Sequence, residues 1–296
     1  MHNFAKPAKL VADSLKDVGK SLRSQKKDFF ESNKSTLEVL FNHYDTLAIR
    51  DELHTLGKQW AIKAGDDDDT KLQKQEKRHL ASQLYGDDRP FVNKHWEYLK
   101  EKNDGRTLYC PMCGLHECEE MDHYLPRGEQ EYPEYSAHLS NLIPLCHKCN
   151  HKKSSKFLDA NGNRLYFNAF YDLLMQRDIL SCTISINPTD GLPQIATSIS
   201  PSLSSSKKPD MYVISTIGDL ELMARFESKA KEWLRYEMSR LSLRAGQSWN
   251  EIKKEMAAMA SPVADDSDIV HPAVLKAISE SKEMETWFNG LIVGNT

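Results

Sequence analysis

Two Cys-x-x-Cys pairs, Cys110 with Cys113 and Cys146 with Cys149, stand in the middle of the chain with 32 residues between them. Four thiolates at this spacing suit a tetrahedral zinc ion, which takes a closed shell of four ligands when its role is structural. Two disulfides or an iron–sulfur cluster would use the same residues. No secretory signal is evident, so a reducing, cytoplasmic setting is expected, which favours zinc over disulfides. Cys118 and Cys182 lack partner spacing. Cys118 is near enough in sequence to compete for metal, but both read as ordinary free cysteines.

The stretch between the pairs has its own pattern. Residues 120–125 alternate in the manner of a short strand, and residues 139–145 read as a second strand running into the second pair. Residues 150–158 are rich in lysine and read as a helix. The expected order is strand, loop, strand, helix, with zinc fastening both ends. Asp122 and His123 then leave the first strand near the start of the helix, where Asn150 meets them.

Asp122-His123, Asn141 and Asn150, set within two cysteine pairs, resemble the HNH endonucleases with a ββα-metal core, in the variant whose third position is Asn. The resemblance covers residues 110–157. Residues 121–150 are also similar to HNH proteins of bacterial phage-defence systems, including the nuclease partners of ATPases in Septu-like systems. The resemblance implies metal-dependent hydrolysis of DNA that leaves a 3′-hydroxyl and a 5′-phosphate. It also implies His123 as base and Asp122 and Asn150 on a catalytic Mg²⁺ or Mn²⁺.

The residue chemistry is compatible with those roles. Phosphodiester hydrolysis needs a water nucleophile, a base and positive charge on the phosphate. Imidazole, with an ordinary pKa of about 6.5, is a suitable base. A hard divalent cation prefers oxygen, which the Asp122 carboxylate and the Asn150 amide supply. Asn141 would brace the loop through backbone hydrogen bonds and so fix the His123 ring. His147 and His151 read as further ligands, phosphate contacts or solvated residues of the second pair.

Composition bounds the partners. The net charge is −4, so any nucleic-acid contact must come from a local patch. Residues 145–164 supply one, with Lys148, Lys152, Lys153, Lys156 and Arg164 against Asp159 alone. Next to a candidate nuclease site these lysines read as phosphate contacts. No apolar run approaches the roughly 18 residues of a membrane helix, so no membrane partner is expected.

The flanks are expected to be helical. Residues 6–28 carry Leu10, Val11, Leu15, Val18 and Leu22 at helical spacing, as a helix that docks on the body or a partner. Residues 34–63 continue through Leu37, Leu40, Phe41, Tyr44, Leu47 and Trp60, and residues 66–69 are an acidic run that reads as a solvated loop. Residues 71–85 form a third helix and Pro90 opens a fourth, with Phe91, Val92, His95, Trp96 and Leu99 on one side. Beyond the core, Phe167, Phe170, Tyr171 and Leu174 mark a helix, and residues 181–187 and 192–199 form a hairpin. Residues 198–209, rich in Ser, Lys and Pro, are the linker candidate. Residues 218–243 and 247–260 read as helices, residues 262–268 as a break, and Pro272 opens an acidic last helix with Leu275, Ile278 and Trp287.

The expected fold is therefore mainly α with a small central zinc-stapled, treble-clef-like ββα-metal core. Its segments are a helical module at 1–105, the core at 106–180, and a hairpin with helices at 181–296. The expected function is a metal-dependent endonuclease of phage defence or restriction, acting on double-stranded phage or plasmid DNA. Two other readings stay open: a non-catalytic zinc-dependent DNA- or protein-binding module, and a nuclease subunit silent until an ATPase or sensor protein binds it.

Overall fold

The structure is a computed structural model that describes residues 4, 6–7, 11–85, 90–103, 105, 107–172, 178–260 and 268–293. It is mainly helical, with two small two-stranded sheets. Contacts divide it into two compact units. The first holds His2–Met112 and His116–Leu173; the second holds Leu174–Thr296 with the turn Cys113–Leu115.

In the first unit α1 (Val11–Ser21) and α2 (Ser24–Ile49) pack together, burying Leu15, Val18, Phe30, Leu37 and Phe41. The helical pattern expected through residue 63 stops at Ile49. Trp60 is nonetheless buried, its ring 5.7 Å from Phe29 and edge-on to it. The acidic run does more than fill a loop. Asp67 caps α3 (Asp68–Ser82) by accepting from the Thr70 N–H at 2.7 Å. Asp68 and Asp69 occupy the first turn, where negative charge suits the helix dipole. Pro90 opens α4 (Pro90–Lys102) as expected.

β1 (Glu120–His123) pairs antiparallel with β2 (Leu142–Leu145), with Glu120 opposite Leu145 and His123 opposite Leu142. α5 (His147–Lys153) follows, so the strand–loop–strand–helix order is present. The helix starts three residues before the expected position, inside the second cysteine pair, and ends at Lys153. No helix forms over residues 164–172. The Asp172 carboxylate accepts from the Asn168 N–H at 2.7 Å and the Asn168 amide from the Phe170 N–H at 3.0 Å. Such local side-chain bonds compete with a helical ladder. Phe167 and Phe170 are buried there without one, and Leu174 lies outside the described residues.

The second unit contains the expected hairpin, β3 (Leu180–Ile186) with β4 (Pro193–Ile199). Helices α6 (Asp210–Asp219), α7 (Leu222–Ser242), α8 (Trp249–Met259), α9 (Val270–Glu280) and α10 (Lys282–Val293) follow, with α7 against β4 and α9 against β3. The Ser- and Pro-rich segment after β4 joins two elements of this one unit. Pro272 lies in the first turn of α9, but the last helix is two helices. The Ser281 hydroxyl accepts from the Met284 N–H at 3.1 Å and so caps a new start. The expected break at 262–268 lies outside the described residues except for Asp268, whose carboxylate accepts from the Trp233 indole at 2.7 Å. No described helix is long and apolar enough to cross a membrane.

Candidate metal centre and adjoining cavity

The first cysteine pair sits on a tight turn. Cys110 N–H donates to His116 O at 2.8 Å and Cys118 N–H to Leu108 O at 2.7 Å, and Gly114 takes a φ of 61°. The Leu115 N–H points at Cys113 Sγ, 3.5 Å away. The second pair opens α5, with Cys146 in the extended capping position and Cys149 within the first turn. The four Sγ atoms are buried and lie within 4.8 Å of one another. A tetrahedral zinc with bonds of about 2.3 Å spaces its sulfurs about 3.8 Å apart, so the cluster could hold one. None of the six cysteines is in a disulfide. Cys118 stands outside the cluster, and burial pushes the Cys182 thiol up to about 11.

The polar residues of the ββα segment are each held by a different partner. Nε2 of the buried His123 donates to Ser136 O at 2.8 Å, and the ring meets Tyr85 edge-on at 4.6 Å. The neutral ring therefore carries its lone pair on Nδ1. Asn141 is wholly buried, accepting from the Leu125 N–H at 2.7 Å and donating to Leu125 O and Tyr135 O at 3.1 and 3.2 Å. It thus ties both ends of the loop that carries Ser136. The N-terminal helices grip the same loop: Ser136 Oγ donates to Ala81 O, Tyr44 reaches Asn141, and the buried Glu134 accepts from Gln59 N–H.

Asp122 is nearly buried, and its Oδ2 lies 2.8 Å from Lys153 Nζ. Lys153 also donates to His123 O at 2.8 Å. Burial pushes the Asp122 carboxyl above the ordinary range, and the Lys153 ammonium pulls the other way. Glu120 lies two residues before Asp122 on the same strand face. It accepts from Asn150 Nδ2 and, at 2.7 Å, from His147 Nδ1. The His147 bond and then that of Asn150 hold Glu120 below the usual carboxylate range, and Glu120 raises His147 in return. Asn150 commits its amide nitrogen to Glu120, not its oxygen.

Asp122, His123 and Asn150 converge on one cavity of about 450 Å³. Glu119, Glu120, Arg127, Tyr85, Asn93 and Trp96 also line it. Arg127 reaches Ser82 O at 3.1 Å and sits over the Tyr85 ring. Sequence reasoning missed all six of these residues. The period-two alternation of β1 was a usable signal for Glu120; nothing local marks the others. Three carboxylates face Arg127 there, so a phosphate approaching without a cation would meet net negative charge.

No family model, curated protein or solved structure matches this chain.

The basic stretch divides by helix face. Lys148 and Lys152, four residues apart, are exposed together with Lys156. Lys153 lies four residues after the buried Cys149 and is itself 1% exposed. It is therefore not on the surface as a phosphate contact, and neither is Arg164, buried against Asp172 at 2.7 Å and Asp51 at 3.2 Å. His147 and His151 are exposed neighbours on the outer side of α5.

Proposed function

We propose that this chain is an HNH-type endonuclease that hydrolyses DNA phosphodiester bonds with a divalent cation, on a core closed by one structural zinc. The observation that carries the reading is the convergence of Asp122, His123 and Asn150 on one cavity beside a cluster of four buried thiols. A role in anti-phage defence or restriction, and an ATPase or sensor partner, rest on the sequence resemblance alone.

The residues around the cavity suit a hard cation. Among the described residues, the cysteines alone form a convergent group of three or more His, Cys, Asp or Glu ligands. The cavity would therefore offer Mg²⁺ or Mn²⁺ one or two carboxylates and the Asn150 amide oxygen. Mg²⁺ typically takes that few protein ligands and keeps its waters. Bound there, the cation would offset the carboxylate charge and stabilise the developing charge on phosphate and leaving oxygen.

His123 takes the proton of the attacking water on Nδ1, while its Nε2–H stays on Ser136 O and favours the imidazolium that forms. Asn141 holds the loop that places Ser136. Lys153 holds the Asp122 carboxylate in place and opposes the upward push of burial on it. The exposed Lys148, Lys152 and Lys156 would supply phosphate contacts.

Supercoiled plasmid incubated with the protein and Mg²⁺ or Mn²⁺ should be nicked, and EDTA should stop it. Asn150→Ala should lose cleavage in Mg²⁺ and regain part of it at higher Mn²⁺. Cation-independent cutting, or none in any cation with or without partner proteins, sinks the reading and leaves a zinc-dependent binding module.

A further inference from the structure

The cavity that takes in Asp122 and His123 is walled on one side by α4, and that wall carries an indole. Val92, Asn93, Trp96 and Lys100 recur at the three- and four-residue spacing that puts side chains on one helix face. His95, on the neighbouring face, fastens the helix to the sheet through Leu142 O at 3.1 Å. Trp96 lines the cavity with Val92 and Asn93. It is half-buried, and its ring has no aromatic or cationic partner among the described residues. A second concavity, about 320 Å³, shares Asn93 and Trp96 with the first. Lys100, half exposed, borders the second together with Glu97, whose carboxylate lies 3.5 Å from its ammonium.

We infer that Trp96 is a stacking platform for an unpaired nucleobase next to the scissile phosphate, with Asn93 at the base edge and Lys100 toward the following phosphate. This rests on the nuclease reading and narrows its substrate class. His123 is 6% exposed, so the reacting phosphate must enter the recess and not lie on a flat surface. A continuous duplex holds its bases inside the stack, away from a wall beside its backbone. A single strand, a flap or a splayed end can turn one base onto the indole, and such stacking tolerates any base because every base has a π-face. The preferred substrate becomes nucleic acid with an unpaired nucleotide at the cut, not uniform duplex.

Tryptophan emission and affinity can be followed in EDTA with single-stranded oligothymidylate, oligouridylate and a duplex of equal length. Wild type should be quenched by the single strands and bind them more tightly than the duplex. Trp96→Ala should abolish that quench and weaken single-strand binding roughly five- to a hundredfold, the range for losing one base–aromatic stack. Trp96→Phe should lose the quench but recover most of the affinity. The deoxy and ribo arms tell whether the platform serves DNA or RNA. Equal affinity of wild type and Trp96→Ala for the single strand, or equal quenching by duplex, overturns the platform. If instead the quench behaves as stated but no cutting depends on His123, the platform stands and the nuclease reading falls.

Discussion

The cysteine cluster and the adjoining cavity share α5 but are held together differently. At the cluster, four like side chains are buried within 4.8 Å of one another, and each would serve one ion. At the cavity, His123 leans on Ser136, Asp122 on Lys153, Asn150 on Glu120 and Asn141 on a loop backbone. Loss of one cysteine would open the whole zinc shell, whereas loss of one cavity residue would leave the other pairings in place. On the proposed function the residues that would hold zinc are not those that would do the chemistry, and substitutions can test this.

Cys146→Ser should do the most damage. Structural zinc contributes on the order of 10 kcal/mol to folding of its own small domain. The variant should lose zinc and the circular dichroism of the core together. Freshly purified wild-type protein that is folded yet free of zinc by elemental analysis would break the comparison at its first term.

Lys153→Met should come next, because it strands the buried Asp122 charge. Breaking such a pair costs about 3–5 kcal/mol. The sign with pH is fixed by the raised Asp122 carboxyl. A carboxyl that binds its proton more tightly folded than unfolded costs stability as pH rises through the carboxylate range. Without Lys153 that upward shift grows, so the deficit in urea unfolding should be larger at neutral pH than at mildly acidic pH. A pH-independent deficit would show that Lys153 acts by packing alone.

Asn141→Ala should cost less than zinc loss but still several kcal/mol. It leaves the buried Leu125 N–H and Leu125 carbonyl without their partner, at about 1–3 kcal/mol each, while the Tyr135 carbonyl keeps its bond from the His138 N–H. Melting should fall while zinc stays bound. The smallest effect belongs to the outer face of α5. Lys148→Glu with Lys152→Glu should weaken DNA binding about equally across sequences and lower the salt slope by roughly one for each phosphate no longer neutralised. Unchanged affinity at low and moderate salt would move the DNA-binding surface elsewhere.

Much of this division was legible in the chain. The Cys-x-x-Cys spacing, the alternation of β1 and the hairpin around Asn187 are local signals, and the elements stand where those signals put them. What was not legible depends on burial set by distant residues. A lysine beside two others reads as surface, yet Lys153 turns inward because Cys149, one turn earlier, faces the core. Arg164 reads as part of the same patch until Asp51, far upstream, is seen to pair with it. Trp96 reads as one more apolar residue of α4, and only the packing of that helix on β2 brings it to the cavity.

The most direct test takes one preparation of His123→Ala and measures zinc content, far-UV circular dichroism and plasmid nicking in Mn²⁺ beside wild type. A general base is worth about 10²–10⁴ in rate. The account predicts one full equivalent of zinc, a folded spectrum and cleavage reduced by at least about a hundredfold. Wild-type cleavage by the variant would contradict it, as would loss of zinc along with activity.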